Sequence, residues 1–153
     1  MSPPHSAGSP RLAVRGIVLH EDRLLLVNAY KGHDRLWCAP GGGVERHSSL
    51  PDNLRREIRE ETGLEVEVGA PCLVNEFHEP ESAFHQVDIY FRCSLADPSI
   101  PEGWTDPEGV VTERHWVTRD ELARLRVKPD SLAEVAWDHA GDAAYDPLEP
   151  ILR

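Results

Sequence analysis

GGGVERHSSLPDNLRREIREETGL, residues 41–64, decides how the rest of the chain is read. Three glycines lead into a segment with helical pattern. Ser49 is placed to cap it, Asp52 follows three residues on as a variant capping box, and Pro51 falls in the first turn, where its missing N–H is tolerated. Gly63 stands where a left-handed C-cap residue belongs. Glu57, Glu60 and Glu61 are three and four residues apart, so they share one flank. On a wheel of about 100° per residue, Leu50, Leu54 and Ile58 mark the buried face. Glu57 and Glu61 fall within about 20° of Leu50 on either side, and Glu60 lies further round on the Glu57 side. Arg55 and Arg59 take the opposite, solvated face. Burying an unpaired carboxylate is expensive, and like charges this close repel. A hard divalent cation, Mg²⁺ or Mn²⁺, explains the cluster, because Mg²⁺ prefers oxygen ligands and is typically held by carboxylates together with substrate phosphates. The plainer alternative is a solvated acidic helix whose glutamates pair with Arg55, Arg56 and Arg59. The register of the glycine run, Arg56 and Gly63 with the acids favours the cation.

The same residues resemble the box of the Nudix hydrolases, G-x5-E-x7-R-E-U-x-E-E-x-G-U, where U is a bulky apolar residue. Gly42, Arg56, Glu57, Ile58, Glu60, Glu61, Gly63 and Leu64 match, and Ser48 stands where the family has its first Glu. The resemblance implies an α/β/α sandwich with a mixed β-sheet. It implies a metal-dependent hydrolase that cuts a phosphoanhydride in a nucleoside diphosphate linked to a second moiety, X. The metal shell it implies is Glu57, Glu60 and Glu61 with the backbone carbonyl of Gly41, and Arg56 joins the catalytic set. A base must take the proton of the attacking water. Glu61 and Glu57 are the candidates in the box; in the later loop Glu108 comes first, with Asp106, Glu102 and Glu113 behind it. The family's first Glu commonly pairs with the box Arg, so Arg56 is expected to turn to Asp52, four residues earlier, and the metal to be held more weakly. Pro80, sixteen positions after Leu64, resembles the spacing of the ADP-ribose pyrophosphatase branch. The substrate is thus expected to be ADP-ribose-like or a nucleoside triphosphate, and a homodimer is compatible with the resemblance. A catalytically silent Nudix-like domain that binds a nucleotide or a protein partner is the alternative; Ser48 favours it, and the three retained acids oppose it.

At 153 residues the chain fits one domain with a sizeable core. The formal net charge of −11 argues against nucleic-acid polymers and anionic membranes as partners. It would also repel a phosphorylated substrate unless a cation intervened. Cys38, Cys72 and Cys93 are too few and scattered for a disulfide framework or a zinc site, which fits free thiols in a reducing compartment. No apolar run is long enough to span a membrane, and a cytoplasmic location follows by default. Residues 1–10 read as a mobile tail, 11–141 as the single domain and 142–153 as a C-terminal tail without a clear element.

Strands are expected at 12–19 and 23–27, joined by a turn at Glu21-Asp22, and at 37–39, 65–68, 72–77, 86–95 and 110–117. Residues 30–35 and 96–109 read as loops. Thr118 with Glu121 and Ser131 with Glu134 suggest capping boxes for helices over 119–126 and from 131 to near Gly141. Trp37, Phe77, Phe84, Tyr90 and Trp104 are candidates for stacking on a base, with packing as the plainer role. His78 and His85 are too few to complete a metal site.

Overall fold

The computed structural model describes residues 9–28, 36–138 and 141–150. Most of the expected N-terminal tail, the 30–35 loop and the last positions before Gly141 lie outside them.

Strands β1 (Arg11–His20) and β2 (Arg23–Asn28) form the expected hairpin, with Leu19 opposite Leu24. Its turn residues, Glu21 and Asp22, both have positive φ (48° and 66°), as a tight hairpin turn matched to strand twist requires. Strand β6 (His85–Ser94) pairs in parallel with β1 along Arg11–Val18, and β5 (Glu67–His78) runs antiparallel to β6. On β2 lie β3 (Leu36–Cys38) and β7 (Arg114–Val117); β8 (Arg126–Val127) extends β3. The glycine run becomes a strand of its own, β4 (Gly41–Gly43), antiparallel to the first half of β1.

This mixed sheet lies between helices. On one face Val14, Val18, Leu25 and Phe91 pack with Leu54 and Ile58 of α1 (Leu50–Thr62). On the other, Ile17, Leu24, Leu26, Leu73 and Tyr90 pack with Leu122 of α2 (Arg119–Leu122) and with Leu132 and Val135 of α3 (Leu132–Trp137). The run RLLLV is apolar without alternation because Leu24, Leu25 and Leu26 are all fully buried, on alternating faces of a sheet covered on both sides. The architecture is the expected α/β/α sandwich. Cys38, Cys72 and Cys93 are buried free thiols. No helix among the described residues is long and apolar enough to cross a membrane.

Helix α1 is capped as its sequence suggests. Ser49 Oγ accepts from the Asp52 N–H at 3.1 Å, and Gly63 (φ 76°) donates to the Arg59 carbonyl at 2.8 Å. Other elements differ from expectation. The two strands expected over 65–68 and 72–77 are one strand, β5, with register shifts around Pro71: a residue that has no N–H to donate bulges the ladder instead of ending it. Residues 110–113 are not strand, because side chains take their amides. Asp106 accepts from Val110 and Val111, and Asn28 accepts from Thr112 and Glu113. Helix α2 has its capping box but stops at Leu122. Ser131 does not cap α3; its hydroxyl donates to Asp146 at 2.8 Å. Beyond Asp142, β9 (Ala144–Tyr145) and β10 (Glu149–Pro150) pair with β5.

Candidate active site

The site is the contact between β4 and the C-terminal half of α1. Strand β4 pairs with β1 along one edge, and its other edge meets the helix. There the Gly41 N–H donates to Glu61 Oε1 at 3.0 Å. Gly42 faces the other acid: a Cβ at that position would sit 2.7 Å from the Glu57 carboxylate carbon. A side chain at 42 would therefore displace Glu57.

The wheel placed Glu57 and Glu61 at the buried edge of α1, and they are only 9% and 8% exposed. Burial pushes the Glu61 carboxyl up to about 8; nearby Arg15 and the Gly41 N–H oppose this, while Glu57 and Asp106 add to it. Burial likewise raises Glu57, with Arg56 opposing and Glu60 and Glu108 adding. Glu60 is more open, its side chain 30% exposed.

The alternative of a solvated, self-paired acidic helix fails on its arginines. Arg55 pairs with Asp52, and Arg59 pairs with Glu65, Nε to Oε1 at 2.6 Å. Only Arg56 turns to the site acids, donating to Glu57 Oε1 at 3.2 Å and lying 3.7 Å from Glu60 Oε2. The expected Arg56–Asp52 pairing does not form, because Asp52 is taken by Arg55. Instead Arg56 donates to Asn53 Oδ1 at 3.0 Å and comes within 3.7 Å of Glu45 Oε1.

Asn53 has no exposed surface. Its Oδ1 also accepts from the Glu45 N–H at 2.9 Å, and its Nδ2 donates to the Ser49 and Ser48 carbonyls at 2.8 and 3.1 Å. One amide thus ties the loop between β4 and α1 to the arginine that holds Glu57. Ser48 contributes its carbonyl to this knot, and its side chain is exposed.

The segment before β7, with the first residue of β7, closes the other side. Trp104 Nε1 donates to the Glu60 carbonyl at 2.8 Å, and Arg114 Nε donates to the Glu61 carbonyl at 2.5 Å. The helix end that carries the acids thus has two of its orphan carbonyls satisfied from this segment. Asp106, 5% exposed, spends its carboxylate on the amides of Glu108, Val110 and Val111, which removes it as a free base. Glu108 is exposed and near enough to Glu57 to raise it. Glu102 is exposed, and Glu113 joins the loop to Asn28.

Among the described residues, no group of three or more His, Cys, Asp or Glu side chains closes around a metal position. Glu61 is turned to Gly41, and Glu57 to Arg56. The donor chemistry still fits a hard divalent ion: two carboxylates that burial makes costly to ionise, beside a glycine that leaves room for no side chain. Of the aromatic candidates, Tyr90 is buried, Trp37 packs edge-on to His115, and the Trp104 ring lies 2.9 Å from where a Gly63 Cβ would stand. Phe77 and Phe84 pair with each other at 5.8 Å, and Phe84 remains exposed.

Sequence reasoning missed Asn53, Arg114 and a polar row on the sheet: Arg11, Arg15, Gln86 and Asp88. Only Arg15 left a trace, as a charge inside the apolar run LAVRGIVL.

The family model for the NUDIX domain matches residues 9–137. The chain is similar to YjhB of Bacillus subtilis (strain 168), which has a provisional ADP-ribose pyrophosphatase designation. The two are 36% identical over 92 residues, covering 58% of this chain and 43% of that protein, so the chain spans less than half its length. A MutT-like protein of Streptomyces ambofaciens is 33% identical over 127 residues, 80% of this chain and 75% of that protein. A solved NUDIX hydrolase of Nitrosomonas europaea shares the fold with a TM-score of 0.73 at 19% identity, over 89% of this chain and 93% of that one.

Proposed function

The chain belongs to the Nudix family, and from that membership we propose that it is a metal-dependent pyrophosphohydrolase acting on a small nucleoside diphosphate derivative. The observation that carries this reading is the pair of buried carboxylates, Glu57 and Glu61, packed against the glycines of β4. The designation of the Bacillus relative supports an ADP-ribose-like substrate, and a nucleoside triphosphate is the other candidate.

In this reading Glu57, Glu60, Glu61 and the Gly41 carbonyl hold Mg²⁺ or Mn²⁺. Such an ion, when bound, neutralises phosphate charge and lowers the pKa of water. The chain's own residues do the rest. Arg56, steadied by Asn53, orients Glu57. Trp104 and Arg114 hold the helix end, so Glu60 and Glu61 keep their place against β4. Water adds to phosphorus, the bridging P–O bond breaks, and the products are a nucleoside monophosphate and phosphorylated X. A carboxylate takes the water's proton: Glu61 or Glu57 on α1, or Glu108, which stands on the loop beside Glu57.

Incubating the protein with a panel of nucleoside diphosphate derivatives and nucleoside triphosphates, with Mg²⁺ or Mn²⁺, tests the reading. Release of a nucleoside monophosphate supports it. No turnover across the panel selects the second reading, a silent nucleotide- or partner-binding domain, which Ser48 favours.

A further inference from the structure

Among the described residues, Arg56, Arg15 and Arg11 lie around β4, and they differ in what they face. Arg56 is engaged by Glu57, Glu60 and Glu45. Arg15 lies across from Gly41 in the β1–β4 register, its Nε 3.7 Å from Asp88 Oδ2 and its Nη1 donating to the Ala39 carbonyl at 3.1 Å. Arg11 is the third. Its Nη1 donates to Gln86 Oε1 at 2.5 Å, a neutral acceptor, and it forms no ion pair among the described residues.

Arg11 is also held in one place. Gln86, 2% exposed, passes its amide on to Asp88 Oδ1 at 2.7 Å, and Asp88, 3% exposed, faces Arg15. The chain Arg11–Gln86–Asp88–Arg15 follows from the strand register, in which Arg11 lies opposite Gln86 and Ala13 opposite Asp88. Arg11, Ala13 and Arg15 share one sheet face by the two-residue period of a strand. A buried polar row of this kind costs desolvation and is stable only when its members are satisfied. Here the cost is not fully offset, since buried Arg15 Nε has no hydrogen-bond partner among the described residues. What the row achieves is to fix one guanidinium over Gly43: a Cβ there would stand 3.0 Å from Arg11 Cζ and 3.2 Å from its Nε. Gly43 is thus bare where the guanidinium lies, as Gly42 is bare where Glu57 lies.

We infer that Arg11 binds a phosphate oxyanion of the substrate beside Gly43, and that Gln86 and Asp88 are positioning residues for it. The inference rests on the pyrophosphohydrolase reading and deepens it. A chain of net charge −11, with Glu57, Glu60, Glu61 and Glu108 around the site, needs a cation whose charge is still available to attract a diphosphate. Arg11 is that cation, with donors beyond the one given to Gln86. Neutralisation of the remaining acids is left to the metal.

The test is binding of the non-hydrolysable probe α,β-methylene-ADP to the whole protein with Mg²⁺, by calorimetry at two salt concentrations, alongside steady-state kinetics on whichever panel substrate is turned over. Arg11→Gln should weaken probe binding by ~10-fold or more and flatten its salt dependence, and Arg11→Lys should recover part of it. In kinetics Arg11→Gln should raise KM more than it lowers kcat. Gln86→Leu, which keeps the charge and frees the side chain, should weaken binding by a smaller factor. An Arg11→Gln protein that binds the probe as tightly as wild type, with the same salt dependence, overturns the phosphate role and leaves the pyrophosphohydrolase reading intact. A wild-type protein that neither binds the probe nor turns over any substrate overturns both.

Discussion

The Gly41 N–H donates to the Glu61 carboxylate at 3.0 Å across twenty positions of sequence, in a contact with almost no solvent around it. This bond joins the glycine strand to the acidic helix, and it shows why neither half of the motif suffices alone. The glycines form an edge strand, and the helix closes that edge with a carboxylate. Burial leaves that carboxylate costly to ionise.

The first prediction is a pH dependence of stability. Glu61 is raised from 4.5 to about 8 in the folded protein, so between these values the folded chain holds a proton that the unfolded chain has released. The stabilising contribution is complete below the unfolded value and is lost as pH rises through the folded one, at up to ~1.4 kcal/mol per pH unit. Urea unfolding of the metal-free protein should show stability falling from pH 5 to pH 8. Glu61→Gln should flatten that fall, and Mg²⁺ should stabilise wild type more at pH 8 than at pH 6. A wild-type profile that rises over this range contradicts the assignment.

Asn53 gives the second prediction. Its amide bonds the Glu45 N–H, the Ser48 and Ser49 carbonyls and Arg56. Asn53→Ala leaves buried groups unsatisfied and should cost about 2–3 kcal/mol in denaturant unfolding. It should also lower kcat by ~10-fold or more, because Arg56 loses its hold on Glu57. Asn53→Asp keeps the acceptor for Arg56 and should retain more activity than alanine.

The helix end supplies the third. Trp104→Phe removes the donor to the Glu60 carbonyl while keeping an aromatic ring against Gly63, and should cost about 1 kcal/mol. Gly63→Ala should cost more, about 2 kcal/mol, because φ is 76° and the new Cβ would stand 2.9 Å from the Trp104 ring and from Pro101. Thermal or urea unfolding orders the two, and equal losses would show that Trp104 does not press on the glycine.

Ser48 gives the fourth. Its side chain is exposed, and Arg56 has found Asn53 and Glu45 in place of the missing family carboxylate. Ser48→Glu should restore a carboxylate and lower the Mg²⁺ concentration needed for half-maximal rate by several-fold. An unchanged Mg²⁺ dependence would mean that Asn53 and Glu45 already do that work.

Much of this was legible in the sequence. The hairpin, the capped helix with two acids at its buried edge, the strand near 86–95 and the sandwich follow from local pattern and from the resemblance of 42–64. What was hidden depends on contacts between distant segments. Asp52 was read as the partner of Arg56 because they share a helix spacing, yet Arg55 at three residues claims it. Residues 110–113 look like strand, but Asp106 and Asn28 capture their amides. The polar row from Arg11 to Arg15 exists only through the parallel register of β1 and β6, which no local pattern encodes.

The most direct measurement is turnover of the nucleoside diphosphate and triphosphate panel with Mg²⁺ by wild type, Glu57→Gln and Glu61→Gln, with folding of each variant verified. The structure predicts metal-dependent release of a nucleoside monophosphate by wild type and a loss of ~100-fold or more in kcat in each variant. Turnover that continues unchanged without the divalent metal, or that survives both substitutions, would contradict it.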